Sequence, residues 1–317
     1  MKQYCRAFLA LALAAAGGLA LAQPAVIKVV VPFPAGGATD QAARIFSDKM
    51  SQLLGQTFII DNRPGAGGRI GIDAVMKSPA DGTTLLFTNS SYAILPVIEP
   101  KLPFDVLKAL VPVGIAAHYS LQIVTRPGIP ANTLPEFIAY AKKNPGKLSY
   151  GSAGIGSGAN FAGEYFKALS GTYLVHIPYK STSAALNDVA GGMVDLAFDG
   201  AAKPLIDAGR VKLLATTGEK RDLRFPNTPT AVEAGLKGFV QQSWAGYLAP
   251  AGLPVPVLDK LNKALVAAAN DPAVQRKLLD MGMTPQTSGT PATMGAEIRN
   301  ELLLYRNIAK QAKLQFD

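Results

Sequence analysis

The chain has 317 residues, 49% apolar and 17% charged, with one Cys, two His and a formal net charge of +9. Such a length leaves room for two ordinary domains with a sizeable core, and a lone Cys excludes a disulfide framework. The basic residues are scattered with no long Lys/Arg run or recognised binding motif, which argues against nucleic acid as a partner.

Lys2 and Arg6 precede an apolar run from Ala7 to Ala22, ending Ala20-Leu21-Ala22 before Gln23. That is the three-part pattern of a secretory signal peptide, so residues 1–22 are expected to be removed. Cleavage leaves 295 residues, lowers the charge to +7 and takes Cys5 away. The run is short for a bilayer span, and no later run is long enough for one.

The next stretch, Val29 to Asp40, reads VVVPFPAGGATD. Val29 to Val31 predict a buried strand, and Thr39 or Asp40 is expected to cap a helix with Ala42, Ile45, Phe46, Met50 and Leu53 on one face. Gly36 and Gly37 let successive N–H groups turn toward an anion beside the positive end of that helix. A tight turn without a ligand reads equally well. Thr57 to Asp61 predicts a second strand, Asn62 to Gly68 a glycine-rich turn into another helix, and Thr84 to Thr88 a third strand that runs out into Asn89-Ser90-Ser91. This is a βαβαβ beginning, which favours a parallel sheet with ligands at the carboxyl ends of its strands.

Val111 to Arg126 is broader than one ordinary strand and predicts a long strand leaving one sheet for another. Thr133-Leu134-Pro135-Glu136 supplies a capping box for the following helix. A second alternating set follows: strands at 147–150, 173–178, 194–198 and 211–216, with helices between them. Phe239 to Leu248 is a second candidate crossing strand. After it only helices are expected, at 257–269, 273–281 and 292–312, packing back on the first unit. The predicted architecture is therefore a discontinuous first domain (23–123 and 243–317) and an inserted second domain (124–242), with a cleft between them.

Candidate chemistry is sparse. Gly154-Ile155-Gly156-Ser157-Gly158-Ala159 fits a dinucleotide fingerprint, but the next strand ends at Pro178-Tyr179-Lys180, where that fingerprint needs Asp or Glu. A hydroxyl-bearing anion loop with Ser152 and Ser157 fits better. His118 and His176 sit in apolar, strand-like stretches as packing residues, and no nucleophile elbow or metal-ligand spacing occurs. Asp195 and Asp199 flank a short strand and read as turn and cap residues, with a catalytic carboxylate pair among these two and Asp188 as the competing reading. Tyr179 to Ser183 repeats the opening logic, with Ser181 or Thr182 at a helix start. No cofactor or metal is expected.

Several long phrases resemble the extracytoplasmic solute receptors of tripartite tricarboxylate transporters, the Bug family. They are VPFPAGGATD at 31–40, DNRPGAGGRIG at 61–71, PADGTTLLFTNSS at 79–91, NPGKLSYGSAGIGS at 144–157, PYK at 178–180, GGMVDLAFD at 191–199, and PTAVEAGLKGF with SWAGYLAPAG between 229 and 252. The resemblance implies an α/β two-domain periplasmic-binding-protein fold of the Venus flytrap, type II kind, with two crossing strands as hinge. It also implies a periplasmic location and capture of a small organic anion, a mono-, di- or tricarboxylate, without catalysis. The implied partners are membrane permease subunits, with the protein itself a monomer. A ligand sensor docking on a sensor kinase is the alternative, and a secreted hydrolase a third reading.

Members of the family commonly hold a ligand carboxylate between two strand-helix loops, one from each domain. Carried onto this sequence, the first loop is Phe33 to Thr39, with Gly36, Gly37 and Ala38. The second is Ser152 to Ser157, with Gly156. Ser90 and Ser91 stand nearby, and Thr182 and Asp199 lie on the second domain's rim. Asp40 is expected to stabilise the loop rather than touch ligand. Two departures stand out: Gly158-Ala159-Asn160 replaces the usual Ser-Ser-His, and Ser181 stands where Gly is usual.

Overall fold

The computed structural model describes residues 26–311, so the expected signal peptide, its cleavage site and Cys5 lie outside the described residues. Val29, Val30 and Val31 fall in β1 (Ile27–Val31), where β-branched side chains suit a pleated surface covered on both faces. β1 pairs in parallel with β2 (Phe58–Asn62) and β3 (Thr84–Asn89). Because successive residues point to opposite faces, Val29 and Val31 pack with Phe46 and Met50 of α1 (Ala38–Leu54). Val30 packs on the other side with Ile72 and Val75 of α2 (Arg69–Met76). Two short helices follow, α3 (Ser91–Ile98) and α4 (Val106–Ala109).

The sheet is completed by antiparallel β4 (Leu110–Ser120) and β10 (Gln242–Pro250), with β11 (Met283–Pro285) at the edge. Its order is β11-β4-β10-β3-β1-β2. A second sheet holds β5 (Gln122–Thr125), β6 (Ser149–Ser152), β7 (Val175–Pro178), β8 (Leu196–Asp199) and β9 (Lys212–Thr216), in the order β7-β6-β8-β5-β9. Here β6 runs parallel to β7 and β8, while β5 is antiparallel to β8 and β9.

The helices of this second unit are α5 (Leu134–Lys143), α6 (Gly158–Ser170), α7 (Thr182–Ala190) and α8 (Lys203–Asp207). The Thr133–Glu136 capping box opens α5 as its sequence predicts. Beyond β10 come α9 (Val255–Ala269), α10 (Pro272–Asp280) and α11 (Pro291–Gln311). All three return to the first sheet: Leu261, Leu265 and Leu278 join the Val29 side, and Ile298, Leu302 and Tyr305 join the Val30 side.

The long stretch 111–126 is not one strand but breaks at Leu121. There the chain changes sheets, and its backbone turns to Thr217 in place of a ladder partner. Leu121 N–H donates to Thr217 Oγ1 and Thr217 N–H to the Leu121 carbonyl, both at 2.9 Å. The returning chain uses the same residue: Gln241 N–H donates to the Thr217 carbonyl at 2.8 Å, and Thr217 Oγ1 to the Gln241 carbonyl at 2.5 Å. Farther out, Phe161 of α6 meets Tyr305 of α11 edge-on at 4.8 Å, so apolar contact also links the two units.

Three local expectations are corrected. Neither Thr39 nor Asp40 caps α1; its N-cap is Gly37, because the Asp40 carboxylate turns back to the N–H of Gly36. The expected crossing strand from Phe239 begins only at Gln242, after the Gln241–Thr217 bonds. The C-terminal region is not purely helical, since Met283 to Pro285 pairs with β4 at the sheet edge, where a proline is tolerated.

At Gly246, beside a register shift between β10 and β4, a Cβ would lie 2.6 Å from the Gly114 carbonyl oxygen. Neither backbone can yield without breaking the central pairing. Gly246→Ala is expected to destabilise the protein by about 1–3 kcal/mol, read as a lower urea midpoint with unchanged slope.

Candidate functional site

Parallel strands deliver the loops after β1, β2 and β3, and those after β6, β7 and β8, to the carboxyl edge of their sheets. The loop after β1 is held by one carboxylate. Gly36, at φ +83°, donates its N–H to Asp40 Oδ2 at 2.8 Å. Asp40 also accepts from Arg44 Nε at 3.0 Å and from Asn62 Nδ2 at 2.9 Å, while Asn62 donates to the Phe33 carbonyl at 3.1 Å. Burial pushes the Asp40 carboxyl up, but the bonds from Arg44, Gly36 and Asn62 outweigh it and hold the group below the usual carboxylate range. No side chain caps α1, so its first-turn N–H groups are left to an external acceptor.

The loop after β6 repeats this arrangement with an amide in place of the carboxylate. Gly156, at φ +82°, donates to Asn160 Oδ1 at 3.3 Å, again four residues ahead. Asn160 Nδ2 donates to Tyr150 OH at 2.9 Å, and Tyr150 OH to Glu164 at 2.6 Å. Ser157 caps α6 by accepting the Asn160 N–H, and it donates to the Gly154 carbonyl at 2.7 Å. Ser152 is fully buried, with its hydroxyl 2.7 Å from His176 Nε2. His176 stacks on Tyr150, and burial pushes its imidazole below the ordinary value.

The predicted residues thus divide by where their polar atoms point. Gly36 and Gly37 are exposed, with Phe33, Ala38, Ser91, Ser157 and Thr182 half-buried. Thr39 is buried and its hydroxyl accepts from Asn89 Nδ2 at 3.0 Å, while Asn89 Oδ1 accepts the Ser91 N–H at 2.9 Å. Asn89 therefore ties the start of α3 to that of α1. The Ser90 hydroxyl turns inward, donating to Glu301 Oε1 at 2.9 Å and accepting the Trp244 N–H at 3.1 Å. Ser181 caps α7, which leaves Thr182 to the Asp199 side chain. Asp199 is buried and accepts the Ala201 N–H at 2.6 Å; burial pushes its carboxyl up.

No motif or spacing in the sequence marks Tyr119, which lies near the end of β4. Its phenol faces the side chains of Ser243 and Asn89, and its ring lies 3.4 Å from where a Cβ on Gly200 would sit. The carboxyl ends of β3 and β8 therefore meet across this ring. Burial pushes the phenol up to about 12, so it stays a neutral hydrogen-bonding group near neutral pH. Its only signal in the sequence is its place in the stretch that crosses between sheets. At the rim, Ile98 at the end of α3 packs onto the α-carbon of Gly156, bringing the first unit against the second loop. A separate open cavity of about 520 Å³ lies behind α3, lined by Pro96, Pro103, Phe104, Leu107, Leu302 and Arg306, and includes neither glycine loop.

Among the described residues there is no cluster able to hold a metal ion, and no helix long and apolar enough to cross a membrane. The family model for the tripartite tricarboxylate transporter family receptor matches residues 42–302. The solved periplasmic binding protein BugD is 34% identical, with a TM-score of 0.84, covering 92% of this chain and 98% of its own. An R. palustris protein solved with adipate is 31% identical at a TM-score of 0.84, covering 92% and 99%. MatC from Rhodopseudomonas palustris, with bound malate, is 30% identical at a TM-score of 0.82, covering 89% and 98%.

Removing the Asp40 carboxylate strands the Gly36 N–H and the Asn62 amide together. Asp40→Ala is expected to cost about 1–3 kcal/mol near pH 7. Because the folded-state carboxyl titrates below its unfolded value, wild type should lose this advantage as pH falls below about 4. Urea titrations at both pH values measure it.

Proposed function

The chain belongs to the tripartite tricarboxylate transporter receptor family, and from that footing we propose that it closes its two domains over a small organic carboxylate and delivers it to the membrane subunits of a tripartite transporter. The family consists of solute-binding receptors with the two-domain α/β periplasmic-binding fold, and carboxylates occupy two of its relatives. In this reading residues 1–22 direct export and are removed, 23–123 with 243–317 make one domain, and 124–242 make the other. The protein releases its solute unchanged, acts as a monomer and needs no cofactor.

The observation that carries the proposal is the pair of matching loops, each with a left-handed glycine whose N–H is held by the Asx side chain four residues on. That bond freezes the backbone, so the free amides of Gly37, Ala38 and Thr39 stand ready for a carboxylate without ordering cost at the moment of binding. Fixed N–H dipoles at the start of α1 replace the anion's hydration and the Ser91 hydroxyl completes the clamp, while Gly156, Ser157 and Thr182, whose donors are held by Asn160, the Gly154 carbonyl and Asp199, shape its far side. Phe33 and the exposed Ile155 supply apolar wall for the carbon chain. The inward-turned hydroxyls of Thr39, Ser90 and Ser152, and the Asp199 carboxyl, shape the site from behind.

A thermal-shift series with adipate, malate and their diamides tests the clamp. An acid at a hundred times its Kd should add about 2.7 kcal/mol of stability, whereas its diamide should leave the melting temperature unchanged. Equal stabilisation by the amides would refute the carboxylate reading. Gly156 sits at φ +82°, where a side chain is strained, and a methyl there would also displace Ile98 Cδ1, so Gly156→Ala should distort the second loop and weaken acid binding about tenfold or more, measured by calorimetry.

A further inference from the structure

Glu301 on α11 is buried, at 9% exposure, and contacts no Lys or Arg among the described residues. Ser90 Oγ donates to its Oε1 at 2.9 Å, and the indole Nε1 of Trp244 donates to its Oε2 at 2.7 Å. The Ser90 oxygen in turn accepts the backbone N–H of Trp244 at 3.1 Å, closing a three-membered ring of contacts. Ser90 is the joint between β3 and α3, one residue before the helix start assigned to the clamp. Trp244 is the third residue of β10, the strand by which the chain returns from the second domain. One carboxyl therefore fastens the solute turn to the returning strand.

The groups facing Glu301 are Tyr305 and Glu297 from its own helix, Tyr119 from β4, Trp244 from β10 and Ser90 from the turn. Glu297 is bonded to His118 of β4 at 2.8 Å, and Asp199 lies beyond Tyr119. The facing part of α3, SYAILPVI, carries no charge. Burial, with Glu297 adding to it, outweighs the bonds from Trp244, Ser90 and Tyr305 and pushes the Glu301 carboxyl up to about 8. At neutral pH the group is thus mainly a neutral acid.

We propose that Glu301 is the positioning residue of solute capture, fastening the Ser90 turn to the returning strand as a neutral acid, so that no second negative charge stands behind the bound anion. It rests on the carboxylate-receptor reading for the role of the turn. An anion seated in front of the turn disfavours a second negative charge behind it, so capture and protonation of Glu301 strengthen each other. Deprotonation strengthens the bonds from Ser90 and Trp244 but places a buried charge with no cation beside it behind the turn, which repels the solute.

Trp244 is the only tryptophan of the chain, so its emission reports on Glu301 directly. In solute-free mature protein titrated from pH 5 to 10, wild type should show an emission transition centred near 8 that is missing from Glu301→Gln. A wild type without that transition, or a Glu301→Gln variant that keeps it, overturns the proposal. The folded-state value lies above the unfolded one, so wild type should also lose melting temperature relative to Glu301→Gln as pH rises from the ordinary glutamate range through about 8, and run parallel beyond. With adipate as probe, wild-type affinity should fall at least threefold between pH 7 and 9, while Glu301→Gln holds constant. Falls of equal size in both proteins overturn the coupling. Adipate that binds neither protein at any pH counts against the carboxylate reading, and the emission titration then decides the role of Glu301 alone.

Discussion

A single hydrogen bond, made twice, sets the geometry on which the rest depends. In each domain a glycine in the left-handed region gives its N–H to the Asx side chain at the fourth position beyond. A side chain other than glycine would be strained there, and an Asx replaced by an apolar residue would leave a backbone donor without its acceptor. The bond removes one amide from use and thereby fixes its neighbours, which is how a flexible Gly-Gly turn becomes a rigid one. Charge differs between the copies. Asp40 is balanced by Arg44 and Asn62, whereas Asn160 belongs to a mostly neutral chain through Tyr150 that ends on Glu164 and Lys167.

The second layer of support lies deeper and is built from long-range contacts. Asn89 joins the starts of α1 and α3, Tyr119 fills the space between β3 and β8, and Glu301 links Ser90 to Trp244. None of these groups needs to touch a solute to matter. Each fixes the angle at which an amide or hydroxyl is presented, and buried polar groups of this kind are costly unless fully partnered.

Local patterns in the sequence carry those parts of the fold that local physics decides. The β-branched run at 29–31, the Thr133–Glu136 box and the glycine turns after β1 and β6 all lie where their residues place them, as does the return of the last three helices to the first sheet. The role expected of Asp40, stabilising its loop, matches its bonds. What stayed hidden depends on distant partners. The break at Leu121 comes from Thr217, far along the chain; β11 is three residues ending in proline, too short to show a period; and the Ser90–Glu301 pair spans 211 positions. Ser90 illustrates the difference well: its neighbours mark it as a hydroxyl at a helix start, and only the distant carboxyl reveals that it faces the interior.

Thr217 carries a consequence for motion. Both chain crossings are stitched to this one residue, through its N–H, its carbonyl and its hydroxyl, so it acts as an axle shared by two straps. Torsion at the residues flanking Leu121 and Gln241 would swing one lobe while leaving those bonds unbroken. Such a motion would be a pivot rather than a slide, and it would turn close beside the second glycine loop, because Gln241 Nε2 also donates to the Gly158 carbonyl at 2.9 Å.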